Sequence, residues 1–226
     1  MSDRVRTFSW VETRDVLQEL ARRHGFVIDE ARRAFCAPTD GVVVRTPLVL
    51  PIAAECRDVA DFLAALPNRL PSRLVVLLQA GAAALGLWAG EDLIVHKCTK
   101  RYVKRGSGRA QPTYLKSRGK SRYGSRLRLQ NARRLLGGIH DRLTEWIGTH
   151  GEPEQLFYAC PVRLWSDLWH APTTAPLERE RFRKIPLSTR IPCFEELERI
   201  EATMRNGRVE VHEPDDPEID KVDCTR

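Results

Sequence analysis

Residues 74–78 read Leu-Val-Val-Leu-Leu, an uninterrupted apolar run in a chain of 226 residues. A strand that is buried on both faces of a sheet has this pattern, whereas a strand with one wet face alternates apolar and polar residues. The run therefore predicts a central strand with further layers packed on both sides. Such layering is typical of α/β proteins, in which helices cover a largely buried sheet.

The segments that follow this run extend the same sheet. Residues 82–88 and 92–98 predict a hairpin, and residues 156–160 predict another buried strand. Between them a long amphipathic helix is predicted from Ser125 as N-cap to Gly151 as stop, because its apolar residues repeat at spacings of three and four. Strands and helices thus alternate, and we predict an α/β fold with a mixed sheet flanked by helices.

The rest of the chain divides into flanking segments. Residues 1–70 are predicted to form a small N-terminal α+β segment, and residues 71–212 the main core. Residues 213–226 are acidic and interrupted by prolines, a composition that predicts a disordered tail. Further helices are predicted at 11–24, 54–66, 163–169 and 194–204, and further strands at 26–28, 41–44 and 208–211, the last at a sheet edge.

One stretch carries the positive charge of the chain. Residues 96–134 contain fourteen lysines and arginines and no aspartate or glutamate, whereas the whole chain has 37 basic and 30 acidic residues. The remainder therefore has 23 basic and 30 acidic residues, a balance of −7. A focused positive field suits a polyphosphate partner, because each neutralised phosphate releases counterions. We expect a nucleic acid as the partner; the alternative is a solvated basic face.

Composition argues against several other classes of protein. No apolar run is long and continuous enough to predict a membrane span, and the first ten residues lack the apolar core of a signal peptide. The six cysteines lie far apart, without the spacing of a zinc site or a disulfide framework. We therefore expect a cytoplasmic, monomeric protein with reduced thiols and with no metal or other cofactor.

Residues 104–124 are rich in glycine, serine and cations and have no hydrophobic periodicity. Loops of this length inside a domain are uncommon, and are usually functional or disordered. We predict a flexible basic loop that follows a phosphate backbone, with interleaved tyrosines able to stack on bases. The predicted RNA-binding residues are Lys97, Lys100, Lys104, Arg109, Tyr114, Lys116, Arg118, Lys120, Arg122, Arg126 and Arg128.

Three motifs in this region follow one another in the order typical of one family. Residues 96–102 (HKCTKRY) end the hairpin, a glycine-rich loop closes on Ala110-Gln111, and residues 124–131 (GSRLRLQN) begin the long helix. This arrangement resembles the VLRF family, the Vms-like release factors of ribosome-associated quality control, which include the vertebrate ANKZF protein. The resemblance spans about residues 74–146 and indicates a minimal, bacterial member.

The resemblance implies an RNase H-like core, similar to the middle domain of eukaryotic class-one release factors. It also implies action on peptidyl-tRNA trapped on the large ribosomal subunit, with cleavage of the tRNA near its 3′ CCA end. By this resemblance Gln111 takes the catalytic position, and Arg101 and Arg105 fall where the family has arginines at the base of the loop. The loop reads Arg109-Ala110-Gln111 where release factors have Gly-Gly-Gln.

The chemistry of these side chains needs no metal ion. A glutamine amide has no titratable lone pair near neutral pH, so Gln111 would orient a water molecule or a ribose 2′-OH. The arginines would stabilise negative charge in the transition state, and the basic segment has no carboxylates for a two-metal nuclease. We therefore predict a metal-independent tRNA endonuclease. The alternatives are a peptidyl-tRNA ester hydrolase that uses the same glutamine, a non-catalytic tRNA- or ribosome-binding module, and a DNA-binding protein.

Overall fold

Two five-stranded sheets organise the chain. The computed structural model describes residues 4–29, 33–101, 120–170 and 176–212. They form two units, of which one is Arg69–Glu201 and the other contains the residues before and after it. No helix in the described ranges is long and apolar enough to cross a membrane.

The secondary structure follows the chain in this order. The strands are β1 (Arg4–Ser9), β2 (Val27–Asp29), β3 (Ala34–Ala37), β4 (Val42–Arg45), β5 (Arg73–Gln79), β6 (Ala82–Ala89), β7 (Asp92–Lys100), β8 (Gln155–Ala159), β9 (Phe182–Lys184) and β10 (Asn206–Val211). The α-helices are α1 (Thr13–Ala21), α2 (Val59–Ala65), α3 (Lys120–His150), α4 (Val162–Trp169) and α5 (Phe194–Met204). A short 3-10 helix, Arg179–Arg181, precedes β9.

Strand β5 lies at the centre of the sheet of the Arg69–Glu201 unit, whose order is β7-β6-β5-β8-β9. It pairs antiparallel with β6 and parallel with β8, and β9 is parallel to β8. Every residue of β5 before Gln79 is buried. The prediction of a central strand in a mixed sheet is confirmed, because β5 has neighbours of both directions and is buried on both faces.

Helices cover both faces of this sheet. On one face, Leu74, Val76 and Leu78 of β5 share a core with apolar residues of α3 and α4. On the other face α5 packs close to β6, since a Cβ on Gly86 would lie 2.9 Å from the Leu197 side chain. The sheet is therefore the middle of three layers, and the predicted fold class is confirmed.

Helix α3 begins earlier than the sequence predicts. The predicted N-cap, Ser125, lies inside the helix, which starts at Lys120, so the last five residues of the predicted loop 104–124 are helical. Gly124 and Ser125 are weak stop signals, each costing at most about 1 kcal/mol in a helix, and the lysines and arginines around them favour helix. The predicted end is confirmed: Gly151 has φ +82° and its N–H donates to the Ile147 carbonyl at 3.0 Å.

The other predicted helices are present with small changes in their bounds. Helix α2 begins later than residue 54 because Asp58 is its N-cap, and the Asp58 carboxylate accepts a hydrogen bond from the Asp61 N–H at 2.8 Å. Helices α1, α4 and α5 lie where the sequence predicts them.

The second unit contains an antiparallel sheet with the order β1-β10-β4-β3-β2. The prediction that residues 208–211 form an edge strand is wrong, because β10 pairs with β1 on one side and with β4 on the other. Residues 202–212 thus belong with the N-terminal segment, whereas the predicted division placed them in the core that starts at residue 71. Local periodicity can predict a strand, but it cannot predict which distant strands pair with it.

Candidate nucleic-acid interface

Four strands of the Arg69–Glu201 unit end at the same edge of its sheet. Strands β5, β8 and β9 are mutually parallel, and β7 has the same direction because it is antiparallel to β6. Helix α3 ends at His150, shortly before β8 begins at Gln155, so its second half packs along the sheet with its carboxyl end towards the amino edge and its first half directed towards the carboxyl edge. Ligands of α/β proteins bind beyond the carboxyl ends of the strands, so this edge is the candidate binding site.

Arg101 lies at this edge, directly after β7. Its backbone N–H donates to the carbonyl of Gly81, in the turn between β5 and β6, at 2.7 Å. Its side chain is exposed. The backbone of the predicted loop-base arginine is therefore fixed to the sheet while its guanidinium faces solvent.

Lys97 and Lys100 lie on opposite faces of β7. Lys97 pairs with Leu85, whose side chain belongs to the core under α3, whereas Lys100 pairs with Ala82 on the α5 face. Side chains of a strand alternate between faces, so the odd spacing of three separates the two ammonium groups. Both are exposed, but only Lys100 lies at the carboxyl end of the strand.

The first half of α3 is a basic arm, which we define as residues 120–134. None of its described side chains, residues 126–134, is buried, whereas Leu135, Ile139, Leu143 and Trp146 in the second half enter the core. A helix of 31 residues is about 46 Å long at 1.5 Å per residue, longer than any strand of the sheet. The core therefore holds α3 by its second half and leaves the arm to solvent.

Cations cover this arm. Arg126, Arg133 and Arg134 are exposed, and Arg128 is half-buried. Arg133 and Arg134 were not among the predicted site residues. Arg133 and Arg134 belong to the stretch 96–134, which has no acidic residue, and this pattern could have identified them as site residues. Across the described ranges, Arg126, Arg133 and Arg134 have no acidic partner in an ion pair.

The remaining predicted site residues are distributed as follows. Lys120 and Arg122 lie in the first turns of α3. Gln111 and Arg105 lie outside the described residues. So do Lys104, Arg109, Tyr114, Lys116 and Arg118.

Other reactive groups near the loop base have structural partners. The His96 ring lies 4.3 Å, centroid to centroid, from the Phe194 ring of α5. Burial raises the pKa of the Cys98 thiol, as do the neighbouring Cys193 and Glu195, so the thiol remains protonated at neutral pH and is a poor nucleophile. Among the described residues, no three histidine, cysteine or carboxylate side chains form a group that could hold a metal ion.

A known protein family matches the part of the chain that contains this edge. A family model described as Bacteroidetes VLRF1 release factor matches residues 73–212. The chain belongs to this family. The matched residues include all of the sheet with β5 at its centre, the basic arm and α5, and the resemblance predicted from three short motifs is confirmed.

Three mammalian proteins are similar to this chain. The mouse tRNA endonuclease ANKZF1 is 33% identical over 142 residues, which cover 60% of this chain and 19% of the relative. The human protein of the same name is 31% identical over 142 residues, with the same shares, and the bovine one is 28% identical over 156 residues, covering 66% and 21%. The chain thus spans about a fifth of the length of these relatives.

One solved structure completes the comparison. It is the Vms1 mitochondrial localization core, which is matched with a TM-score of 0.48 and 12% sequence identity. The match covers 86% of this chain and 81% of that chain.

Proposed function

We propose that this VLRF1-family chain acts on the tRNA of peptidyl-tRNA in stalled ribosomal complexes and cuts it near the 3′ CCA end. The observation that carries the proposal is the exposed Arg101 at the carboxyl edge of the sheet, where α/β proteins bind ligands, with the basic arm of α3 directed towards the same edge. The relatives named tRNA endonuclease support the same substrate and reaction.

The basic arm is suited to phosphate binding. Arg126 and Arg133 are seven residues apart, so they share one face of α3 and are separated by about 10.5 Å along its axis. Arginine pairs bidentately with phosphate oxygens, and an arginine without an intramolecular ion pair gives up no such pair on binding. The arm would therefore hold the tRNA backbone while the loop between β7 and α3 carries out the chemistry.

In this mechanism Gln111 orients the attacking group, either a water molecule or the ribose 2′-OH beside the scissile phosphate. Arg101 and Arg105 stabilise the charge that develops on the phosphate oxygens, and no metal ion is required. Much of the rate would come from alignment of the CCA end by the large ribosomal subunit, because holding reactants in a near-attack geometry removes an entropic barrier. The reaction would take place in the cytoplasm, with the chain acting as a monomer.

The first test is the fate of 3′-labelled peptidyl-tRNA incubated with the protein and large ribosomal subunits. Release of a labelled CCA fragment is the result expected for an endonuclease. Release of intact tRNA with a free peptide would instead identify an ester hydrolase, and binding without either product would identify a non-catalytic module.

The decisive variant is Gln111→Leu, which keeps much of the side-chain volume and the net charge but cannot orient a hydroxyl group. We expect cleavage to fall about 100-fold to 1000-fold, the usual cost of one transition-state hydrogen bond, while tRNA binding stays close to wild type. Arg101→Ala is the comparison variant: it should weaken binding and turnover together, because its charge acts in both states. Wild-type turnover by the leucine variant would contradict the assignment of Gln111.

A further inference from the structure

The segment 188–190 follows β9 and is held through its backbone by three side chains. The Gln79 amide donates from Nε2 to the carbonyl oxygens of Thr189 at 3.1 Å and Arg190 at 2.9 Å. The Glu196 carboxylate accepts from the Arg190 N–H at 2.7 Å. Arg199 donates from Nη2 to the Ser188 carbonyl at 3.0 Å. Four hydrogen bonds over three residues leave this loop segment little freedom.

A buried charge takes part in this arrangement. Glu196 is 3% exposed, and Arg199 donates to both of its carboxylate oxygens, at 2.8 and 2.7 Å. The Arg199 guanidinium holds the pKa of Glu196 below its usual value, and the Arg190 N–H acts in the same direction. The carboxylate is therefore ionised at neutral pH, and an ionised buried group needs strong, fixed partners.

The segment lies beside the base of the predicted catalytic loop. Gln79, which holds Arg190, is the last residue of β5, and Gly81, which accepts the N–H of Arg101, comes two residues later. Two Cα–Cα steps place Gln79 and Gly81 within about 7.6 Å of each other. Hydrogen bonds thus attach both arginines to one three-residue turn at the carboxyl edge of the sheet.

We propose that Arg190 binds a phosphate group of the tRNA at the same edge of the sheet as Arg101, and that Gln79 and Glu196 position it. The identity of the ligand rests on the proposed function. The Arg190 side chain is exposed, and within the described ranges its guanidinium has no hydrogen-bonded acidic partner. A backbone that is already fixed reduces the ordering entropy lost on binding, and a guanidinium can bind two phosphate oxygens at once.

The test compares Arg190→Ala with Arg179→Ala in binding of deacylated tRNA. Arg179 is also exposed, but it precedes β9 and so lies at the amino end of that strand, at the opposite edge of the sheet. We expect the dissociation constant of Arg190→Ala to rise about tenfold, and the slope of log K against log salt to flatten by about 0.7. Arg179→Ala should bind like the wild type. Wild-type affinity of Arg190→Ala, an equal loss in both variants, or no tRNA binding by the wild type would overturn the proposal.

Positioning by Gln79 is tested with Gln79→Met, which removes both hydrogen bonds to the segment and keeps a similar volume. It should weaken tRNA binding in the wild-type background and have no further effect in the Arg190→Ala background, because the two changes then act through the same contact. Additive losses would contradict a positioning role. Thermal unfolding checks that each variant is folded.

These measurements separate this inference from the proposed function. Binding is measured without turnover, so cleavage by a protein whose Arg190→Ala variant binds normally would overturn only the role of Arg190. Binding that depends on Arg190, together with an uncut tRNA, would overturn only the endonuclease.

Discussion

Two carboxylates of α5, Glu196 and Glu201, are buried, and each meets an arginine. Glu201 accepts from Arg73, whose guanidinium also donates to the Gly90 carbonyl at 2.6 Å and lies 5.8 Å from the centre of the Trp88 ring. Arg73 is fully excluded from solvent. Since an unpaired buried charge costs several kcal/mol, the Arg73–Glu201 pair fixes α5 on the sheet, whereas the Glu196–Arg199 pair lies within α5.

The pH dependence of stability tests the Glu196 pair. Its pKa in the folded protein is below the usual 4.5, so the pair stabilises the fold above that pH and the contribution is lost as the pH falls through the folded pKa. We expect the melting temperature of Glu196→Gln to lie below that of the wild type at pH 7. The difference should shrink steadily as the pH is lowered below about 4.5.

Glu198→Gln provides the matched control, because Glu198 lies on the exposed face of the same helix. Its melting temperature should follow the wild type at every pH. A constant difference between wild type and Glu196→Gln from pH 7 to pH 3 would show that the charge of Glu196 does not contribute.

Single residues differed in how far the sequence could identify them. Arg101 could be found because it belongs to a short motif beside a strand end. Gln79 could not, because its partners Thr189 and Arg190 are 110 and 111 residues away. No local pattern distinguishes a glutamine that holds a distant backbone from one that faces solvent.

At the scale of elements, continuous patterns were the reliable ones. Strand β5 and the second half of α3 have long apolar patterns, and both were predicted. Strands β1, β3 and β9 were missed because none of them has two large apolar residues in succession. The place of such a strand depends on its neighbours more than on its own propensity. The start of α3 was missed because a glycine and a serine within a helix look like a boundary.

The adjacent glycines Gly137 and Gly138 test whether α3 requires a bend beyond the basic arm. The sequence predicts close packing or a bend at Gly137-Gly138, yet a Cβ on Gly138 would have nothing within 4 Å. Gly138→Ala should therefore stabilise the protein by about 1 kcal/mol through helix propensity, observed as a higher thermal or urea midpoint. Gly86→Ala is the opposite case, because its Cβ would lie 2.5 Å from the Trp88 ring and should lower the midpoint. A lower midpoint for Gly138→Ala would indicate that α3 needs the glycine for a bend.

At the scale of the whole molecule, the charge distribution governs association. The chain carries a net charge of +7, and the acid-free stretch outweighs an acidic remainder. Counterion release then makes tRNA binding fall steeply with salt. Replacing Arg126, Arg133 and Arg134 with alanine should flatten the slope of log K against log salt by up to about two units, at roughly 0.7 per lost contact.

The control for this measurement removes the same charge elsewhere. Arg6, Arg14 and Arg22 are exposed residues of the unit that contains β1. Their replacement by alanine should leave the salt slope close to wild type. Equal flattening in both triple variants would mean that net charge, and not the basic arm, determines binding.

The topology of the whole chain was predictable only in part. The three layers around β5 follow from alternating helices and strands between residues 73 and 201. The antiparallel sheet of the other unit joins β1 to β10, with Arg4 opposite Val211. Such a pairing between distant segments depends on the complete fold, so the sequence could indicate the strand but not its place.

The position of β10 has a consequence for biosynthesis. Within the described sheet, β1 has β10 as its one neighbour, and β10 also covers an edge of β4. During synthesis the strands of the Arg69–Glu201 unit emerge from the ribosome before residues 206–211, so this unit can fold first. Until β10 is added, the described partner of β1 is missing and β4 presents an open edge, which is able to pair with another chain. Pairing of β10 with β1 and β4 therefore closes the open strand edges of their unit late in synthesis.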